Sequence, residues 1–204
     1  MKSKSIHLSL GTLAALLVAQ LAHAGPTALE VRAVMHRDFH TRGQAVVSRV
    51  DQDDVQWLCT VTRDKPPAKR AREMENDQLA TIRYPADGNY MGNWKRGAKI
   101  AASGKGMTWK EKAGSQSGGG CYNCHQLSPK QPSYGTIGPS LKHYAKVRGN
   151  GMEGQKYVYG KIYNSKAYNL CTQMPRFGNS GTLTEQDIKD LTAYLLDPAS
   201  PVNQ

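Results

Sequence analysis

The sequence of 204 residues has few phenylalanines, few cysteines and no long apolar run after its first 24 residues. Two residues are Phe, against ten Tyr, and four are Cys. Four cysteines are too few for a densely disulfide-bonded scaffold. The lack of a second long apolar run predicts no membrane-spanning helix after residue 24. Apolar positions nevertheless recur periodically in the C-terminal half, so a disordered chain is not expected.

The N-terminal segment has the pattern of a secretory signal. Two lysines precede an apolar run over residues 8–21, and residues 22–24 are Ala, His and Ala. This order of charge, apolar run and small residues is typical of a cleaved signal peptide. The run is short for a bilayer span, although an N-terminal membrane anchor is the alternative. We expect cleavage after about Ala24, and a periplasmic location if the source is a Gram-negative bacterium.

Two stretches of different composition follow the predicted signal peptide. Residues 25–90 contain many charged residues and few apolar ones. A polar helix is expected over residues 70–82. Their apolar content predicts an N-terminal extension that packs on the next domain or on a partner. Residues 91–204 predict a compact helical domain, with no internal repeat and no competing strand pattern.

Three helices are expected in this C-terminal domain. Asn93 can cap the first, over residues 94–102, whose face of Gly97, Ala98 and Ala101 is small enough for another helix to approach closely. A second helix is expected over residues 155–163. A third begins after Thr184, with acidic residues in its first turn.

One motif indicates the chemistry of the chain, and it is Cys121-Tyr122-Asn123-Cys124-His125. It is a C-x-x-C-H motif, the pattern of c-type haem attachment. The two thiols can form thioethers with the two vinyl groups of one porphyrin, and the following imidazole can bind its iron. A redox-active dithiol would require a surrounding βαβ pattern, and a zinc site would require a second pair of ligands. The sequence has neither, so it predicts one covalently bound haem c with His125 as an iron ligand.

The second axial ligand is expected to be Met174, which is followed by Pro175 and precedes the last helix. A thioether favours Fe(II), so a His/Met pair raises the reduction potential and closes the iron to substrates. The alternatives are Met91, Met107, Met152 and, for a bis-His site, His143.

A backbone carbonyl near residues 138–141 is expected to orient the first ligand. These residues are Gly, Pro, Ser and Leu. The carbonyl of Pro139 can accept a hydrogen bond from His125 Nδ1, which would fix the tautomer of the imidazole. Leu141 would pack on the haem. A plain turn is the alternative.

Cys59 and Cys171 are the remaining cysteines, and three states are open to them. They can pair with each other, stay as free thiols or bridge to another chain. An even number in an oxidising compartment favours pairing, which would tether the extension beside Met174.

Positive charge predominates, with a formal net charge of +11. Basic residues of the haem domain can form a rim that attracts an acidic redox partner or an anionic substrate. No nucleic acid partner is expected. The candidates for this rim are Lys142, Lys146, Arg148, Lys156, Lys161, Lys166 and Arg176.

Several segments together resemble the SoxX family, the monohaem cytochrome c subunits of bacterial SoxAX thiosulfate-oxidising complexes. They are the haem motif and residues 134–141, 161–164, 174–178 and 194–198. The resemblance covers about residues 90–204, and residues 25–90 are longer than the compact family pattern. It implies a mostly α, class I cytochrome c fold with His125 and Met174 as axial ligands.

The resemblance also implies partners and an activity. A SoxA-like cytochrome subunit would hold the active site of an L-cysteine S-thiosulfotransferase, where thiosulfate is joined to a cysteine of the SoxYZ carrier protein. This chain would accept the electrons and pass them to a soluble cytochrome c, with no catalytic residue of its own. The other hypotheses are a free periplasmic class I cytochrome c that shuttles electrons, and a haem sensor with an open iron position.

Overall fold

The structure, a computed structural model, describes residues 25–204, and the signal peptide predicted over residues 1–24 lies outside the described residues. Within residues 25–204 the chain is helical and contains no strand, so the predicted mostly α fold class is confirmed. The helices are α1 (Ala28–Asp38), α2 (Asp54–Val61), α3 (Ala68–Ala80), α4 (Trp94–Ala102), α5 (Tyr144–Arg148), α6 (Met152–Tyr163) and α7 (Glu185–Leu196). Short 3-10 turns lie at Val47–Val50, Cys121–Asn123 and Ser165–Ala167.

Helix α1 belongs to a unit that ends at His40, and residues 41–204 form a second unit. A capping box begins α1, because Glu30 N donates to Thr27 Oγ1 and Thr27 N donates to Glu30 Oε2. No side chain of α1 is buried. No helix in residues 25–204 is long and apolar enough to cross a membrane.

Helices α4 and α7 pack against each other at the centre of the second unit. A Cβ atom on Gly97 would lie 2.1 Å from the carbonyl oxygen of Asp190 and 2.8 Å from Cβ of Tyr194. The predicted close approach at this face of α4 is therefore confirmed. Asn93 caps α4, since its Oδ1 accepts from Lys95 N at 2.9 Å. Thr184 begins α7 with a capping box, as its position in the sequence predicts.

Tyrosines fill much of the space that phenylalanine fills in other cores. Tyr159 is fully buried and packs on Tyr84 and Tyr90, with ring centroids 6.0 and 5.6 Å apart. Its hydroxyl donates to the carbonyl of Arg83 at 3.1 Å. The hydroxyls of Tyr84 and Tyr168 lie 3.3 Å apart. Buried hydroxyls therefore have partners, which buried aromatic residues with a polar group require.

Helices α2 and α3 form a smaller apolar cluster with the segment after α6. Its buried members are Val55, Cys59, Met74 and Leu170. Helix α3 begins two residues before its predicted start, and α6 begins at Met152 rather than at residue 155. Helices α2 and α3 are thus built onto the C-terminal part of the chain.

Residues 41–50 support the loop that follows α4. Arg49 Nη1 donates to the carbonyl of Met107 at 2.6 Å. Gln44 Nε2 donates to the carbonyls of Thr108 and Glu111, each at 3.1 Å. The guanidinium of Arg42 lies 4.0 Å from the ring centre of Trp109. These contacts hold the loop that leads to the C-x-x-C-H motif.

Candidate haem site

A run of glycines brings the C-x-x-C-H motif against the end of α4. Gly120 N donates to the carbonyl of Ser103 at 2.8 Å, and Gly119 N donates to that of Ile100 at 2.9 Å. A Cβ atom on Gly118 would lie 2.2 Å from the carbonyl oxygen of Ser103. Gly120 has a φ of 55°, in the left-handed region that favours glycine. The glycines therefore determine the position of the motif relative to the end of α4.

The motif itself is a tight turn that presents its histidine. Cys124 N and His125 N both donate to the carbonyl of Cys121, at 3.2 and 2.9 Å. Cys121 and Cys124 are partly buried residues, and neither forms a disulfide. One turn thus carries both thiols and the imidazole.

His125 is oriented by the next loop, in the contact that the sequence predicts. Its Nδ1 lies 2.7 Å from the carbonyl oxygen of Pro139. A carbonyl only accepts, so Nδ1 carries the proton and Nε2 keeps a free lone pair. Gly138 lies against the ring, because a Cβ atom there would be 2.2 Å from His125 Cε1. The imidazole is therefore prepared to bind a metal through Nε2.

Both predicted axial ligands line one cavity with an almost entirely apolar wall. The cavity has a volume of about 40 Å³, and His125, Met174 and Cys121 contribute to its wall. The described residues that line it do not include Cys124. Leu141, which is predicted to pack on the haem, lines it too. The other apolar side chains include Leu127, Ile162, Phe177, Leu191 and Leu195.

None of the four alternative ligands lines this cavity. Met107 Sδ accepts a hydrogen bond from Thr182 at 3.4 Å, and Met91 packs against the larger buried cluster, which contains Tyr159. Met152 is 58% exposed. His143 Nδ1 is buried and has no hydrogen-bond partner among the described residues. The geometry therefore favours Met174.

Burial favours the protonated form of the Cys121 thiol. It raises the pKa of the thiol to about 11, because a thiolate is poorly solvated there. The thiol is therefore protonated at neutral pH. This does not resemble a reactive dithiol, in which the thiolate is stabilised by positive charge or a helix N-terminus.

A pair of tyrosines, of which Tyr194 lines the cavity, was not predicted from the sequence. The hydroxyls of Tyr122 and Tyr194 lie 2.6 Å apart. Burial, followed by this hydrogen bond, raises the pKa of Tyr194. Tyr122 lies within the motif and Tyr194 lies on α7, so no sequence signal connected them. The pair links the motif to the central helices.

A haem c fits the donors that meet here. A porphyrin needs apolar walls, its iron needs nitrogen or sulfur ligands, and its vinyl groups need thiols. The cavity has apolar walls, His125 and Met174 offer the iron ligands, and Cys121 and Cys124 offer the thiols. The residues present therefore agree with the group that the motif predicts.

Cys59 and Cys171 form a disulfide within the chain, with their Cα atoms 5.4 Å apart. Of the three states that the sequence leaves open, the structure has the intramolecular pair. It joins α2 to the segment that carries Met174.

The predicted basic rim is wrong in part. Lys166 is only 8% exposed, and its Nζ donates to the carbonyls of Leu170 and Thr172. Arg176 forms an ion pair with Asp53 and a hydrogen bond with Gln78. These cations face carbonyl, carboxylate and carboxamide oxygens, because the loop that carries them folds back on α2 and α3. Lys142, Lys146, Arg148 and Lys156 are exposed.

Comparison with known proteins gave three findings. The cytochrome c family matches residues 102–197. An uncharacterized lipoprotein of Aquifex aeolicus (strain VF5) is 38% identical over 156 residues, which is 75% of this chain and 73% of that protein. The crystal structure of SoxXA from P. pantotrophus matches 52% of this chain and 82% of that chain, at 26% identity and a TM-score of 0.36.

Proposed function

We propose that this chain, which belongs to one family with the Aquifex aeolicus lipoprotein, is the electron-accepting haem subunit of a SoxAX-type complex. The premise of the proposal is the cytochrome c domain over residues 102–197. The observation that carries the electron-transfer role is the cavity shared by His125 and Met174. His125 and Met174 would supply an imidazole and a thioether as the two protein ligands of a haem iron. Such a site exchanges electrons and does not bind substrate at the metal.

Four side chains would hold the haem, and a single C-x-x-C-H motif implies one haem. Cys121 and Cys124 would form the two thioethers, and His125 and Met174 would be the axial ligands. Bound haem c supplies a centre that takes up and releases one electron reversibly.

The chain's own residues would set how readily that electron is accepted. The Pro139 carbonyl holds the proton on His125 Nδ1, so that Nε2 is the donor atom. The apolar side chains that line the cavity offer water almost no hydrogen-bond partner. A thioether ligand and an apolar environment both favour the reduced, less charged state, so a high reduction potential is expected for a cytochrome of this kind.

The SoxAX assignment is supported by the segments that resemble SoxX. Joining thiosulfate to a cysteine thiol forms one S–S bond and releases two electrons and a proton. In our proposal this step takes place on a SoxA-like partner that acts on the SoxYZ carrier protein. This chain takes the electrons one at a time and passes them to a soluble cytochrome c in the periplasm. It contributes no catalytic residue.

Copurification followed by an activity assay tests this assignment. The native periplasmic protein should purify with a second cytochrome, and its haem should become reduced when thiosulfate and the carrier protein are added together. Omission of the carrier protein is the control and should leave the haem oxidised. A chain that purifies alone, and whose deletion leaves thiosulfate oxidation unchanged, would instead support the free electron shuttle.

A further inference from the structure

We propose that α2 and α3 act as a brace that holds Met174 in position, through contacts to the loop of residues 164–176. The brace consists of Asp53, Cys59, Glu75 and Gln78. The inference rests on the proposed function in one respect, because it takes Met174 as the sixth ligand of the iron. It assigns a role to the region before the cytochrome c domain, which the haem motif leaves unexplained.

The brace is covalently joined to the loop at one point. Cys59 on α2 is bonded to Cys171, three positions before Met174. Cys59 is buried, and it packs with Val55, Met74 and Leu170 in the smaller apolar cluster. Movement of the loop away from α2 would therefore separate packed apolar side chains while the chain stays tethered at residue 171.

Gln78 on α3 holds both ends of the loop at one atom. Its Oε1 accepts from Asn164 Nδ2 at 3.1 Å and from Arg176 Nη1 at 3.2 Å. Asn164 is fully buried, and its Nδ2 also donates to Thr81 Oγ1 at 2.9 Å. Asn164 precedes the loop's first turn and Arg176 follows Met174 by two residues. One carboxamide thus closes the loop at its base.

Two acidic side chains complete the brace. Glu75 Oε1 accepts from Leu170 N at 3.0 Å, next to the disulfide. Asp53, the N-cap of α2, forms an ion pair with Arg176. Burial is the largest influence on the pKa of Asp53 and raises it, but the backbone hydrogen bond from Gln56 and the Arg176 guanidinium together lower that pKa below its ordinary value. The loop is therefore held at residues 164, 170, 171 and 176.

The loop is also cross-linked within itself. Lys166 Nζ donates to the carbonyls of Leu170 and Thr172, at 3.0 and 3.3 Å, on either side of Cys171. Ser165 Oγ donates to the carbonyl of Met174, and Met174 N donates to Thr172 Oγ1 at 3.2 Å. A displacement at residues 164–172 is therefore transmitted to the backbone of Met174. The brace residues act through this backbone and are positioning residues.

Release of Met174 requires the loop to open, and opening requires the hydrogen bonds of the brace to break. The free energy of local opening rises with the number and strength of the interactions that the open state must break. A hydrogen bond to a charged group contributes more than a neutral one. Removal of the Gln78 acceptor should therefore make opening more frequent, even though Gln78 is remote in sequence from both ligands.

The test uses the haem-loaded protein and three variants of α3. Gln78→Met keeps the length of the side chain and removes the acceptor. Gln78→Glu keeps an oxygen acceptor for Arg176 and Asn164. Asn76→Met makes a similar change at an exposed position of the same helix. Carbon monoxide binding to the reduced protein reports release of Met174, and hydrogen exchange at residues 170–174 reports loop opening without reference to the iron.

We expect Gln78→Met to bind carbon monoxide about tenfold faster and to exchange these amides about tenfold faster than the parent protein. Gln78→Glu should restore both rates to within about threefold of the parent protein, and Asn76→Met should leave both unchanged. Equal rates in Gln78→Met and the parent protein would overturn the proposal. Equal acceleration of both rates in Asn76→Met would also overturn it. So would faster hydrogen exchange throughout α4 and α7 in Gln78→Met, because it would show general destabilisation.

A second variant keeps the test decisive if Gln78→Met does not fold. Cys59→Ser with Cys171→Ser removes the covalent contact and should accelerate both processes, and unchanged rates would contradict the brace. Measurements on the parent protein distinguish failure of this proposal from failure of the proposed function. Rapid carbon monoxide binding to the parent protein would show that Met174 is not the ligand, whereas hydrogen exchange would still report whether the brace holds the loop.

Discussion

At the scale of the residue, the candidate site depends on contacts that leave no room for additional atoms. Gly138 lies against the His125 ring, and the next carbonyl, of Pro139, accepts from its Nδ1. A side chain at residue 138 would occupy the space of the ring. The position of the imidazole is thus set by one missing Cβ atom and one hydrogen bond.

Gly138→Ala should displace the His125 ring and weaken its bond to the Pro139 carbonyl, since the new Cβ atom would lie 2.2 Å from Cε1. A weaker hydrogen bond makes the imidazole a poorer donor, so the reduction potential should rise. Redox titration measures this change. Gly104→Ala is the matched control, because a Cβ atom there meets nothing within 4 Å. An unchanged potential in Gly138→Ala would contradict this account of His125.

Met174→Ala should lower the reduction potential and open the iron to external ligands, while the haem stays attached through Cys121 and Cys124. The loss of a soft ligand removes the preference for Fe(II). Redox titration and carbon monoxide binding measure the two effects, with Met152→Ala as the exposed control. A variant that keeps the parental potential and spectrum would eliminate Met174 as the ligand.

At the scale of the element, the contact between α4 and α7 fixes the scaffold on which the cavity is built. Ala101 on α4 and Leu191, Tyr194 and Leu195 on α7 all line the cavity. The contact exists because Gly97 lets the backbones approach closely. Loss of this approach would move one wall of the cavity relative to the other.

Gly97→Ala should destabilise the protein by about 1–3 kcal/mol, because an overpacked contact forces backbone shifts. Its Cβ atom would lie 2.1 Å from the Asp190 carbonyl oxygen. Denaturant unfolding followed by circular dichroism measures the change. Gly104→Ala, just beyond the end of the same helix, should differ from the parent protein by less than about 1 kcal/mol. A loss of equal size in the two variants would show that the close contact is not the cause.

Some contacts of these elements could be predicted from the sequence, and others could not. The C-x-x-C-H turn, the caps at Asn93 and Thr184 and the Pro139 contact follow from residues close together in sequence or from a motif with fixed spacing. The contacts of Gln78 with Asn164 and Arg176 do not, because they join residues that only the folded chain brings together. The same holds for the burial of Lys166, since an isolated lysine gives no sign that two carbonyls will face it.

At the scale of the whole molecule, the tyrosine-rich core connects stability with pH. Burial raises the pKa of Tyr159 and Tyr168 above the ordinary value of 10.0, and for Tyr168 the hydrogen bond with Tyr84 adds to the effect. Between the ordinary and the raised pKa, the unfolded chain loses a proton that the folded chain retains. Stability is therefore fully present below about pH 10 and falls as pH rises above it.

We expect the denaturant concentration at the midpoint of unfolding to decrease steeply above about pH 10. The double variant Tyr159→Phe with Tyr168→Phe should show a shallower decrease, because phenylalanine does not titrate. Unfolding curves from about pH 8 to about pH 11.5 measure both slopes. A Tyr134→Phe variant, at an exposed position, should follow the parent protein. Parallel slopes in the parent protein and the double variant would show that these tyrosines do not cause the pH dependence.

The Cys59–Cys171 disulfide closes a ring of chain that contains Cys121 and Cys124. In the oxidising compartment that we propose for this chain, the outer pair would have to form while the inner pair stays reduced for haem attachment. Of the single disulfides that four cysteines can form, only the one between Cys59 and Cys171 keeps both inner thiols available. Production of the intact cytochrome is therefore a matter of timing between oxidation and haem ligation, and a host that oxidises thiols too early will accumulate a colourless, mispaired chain.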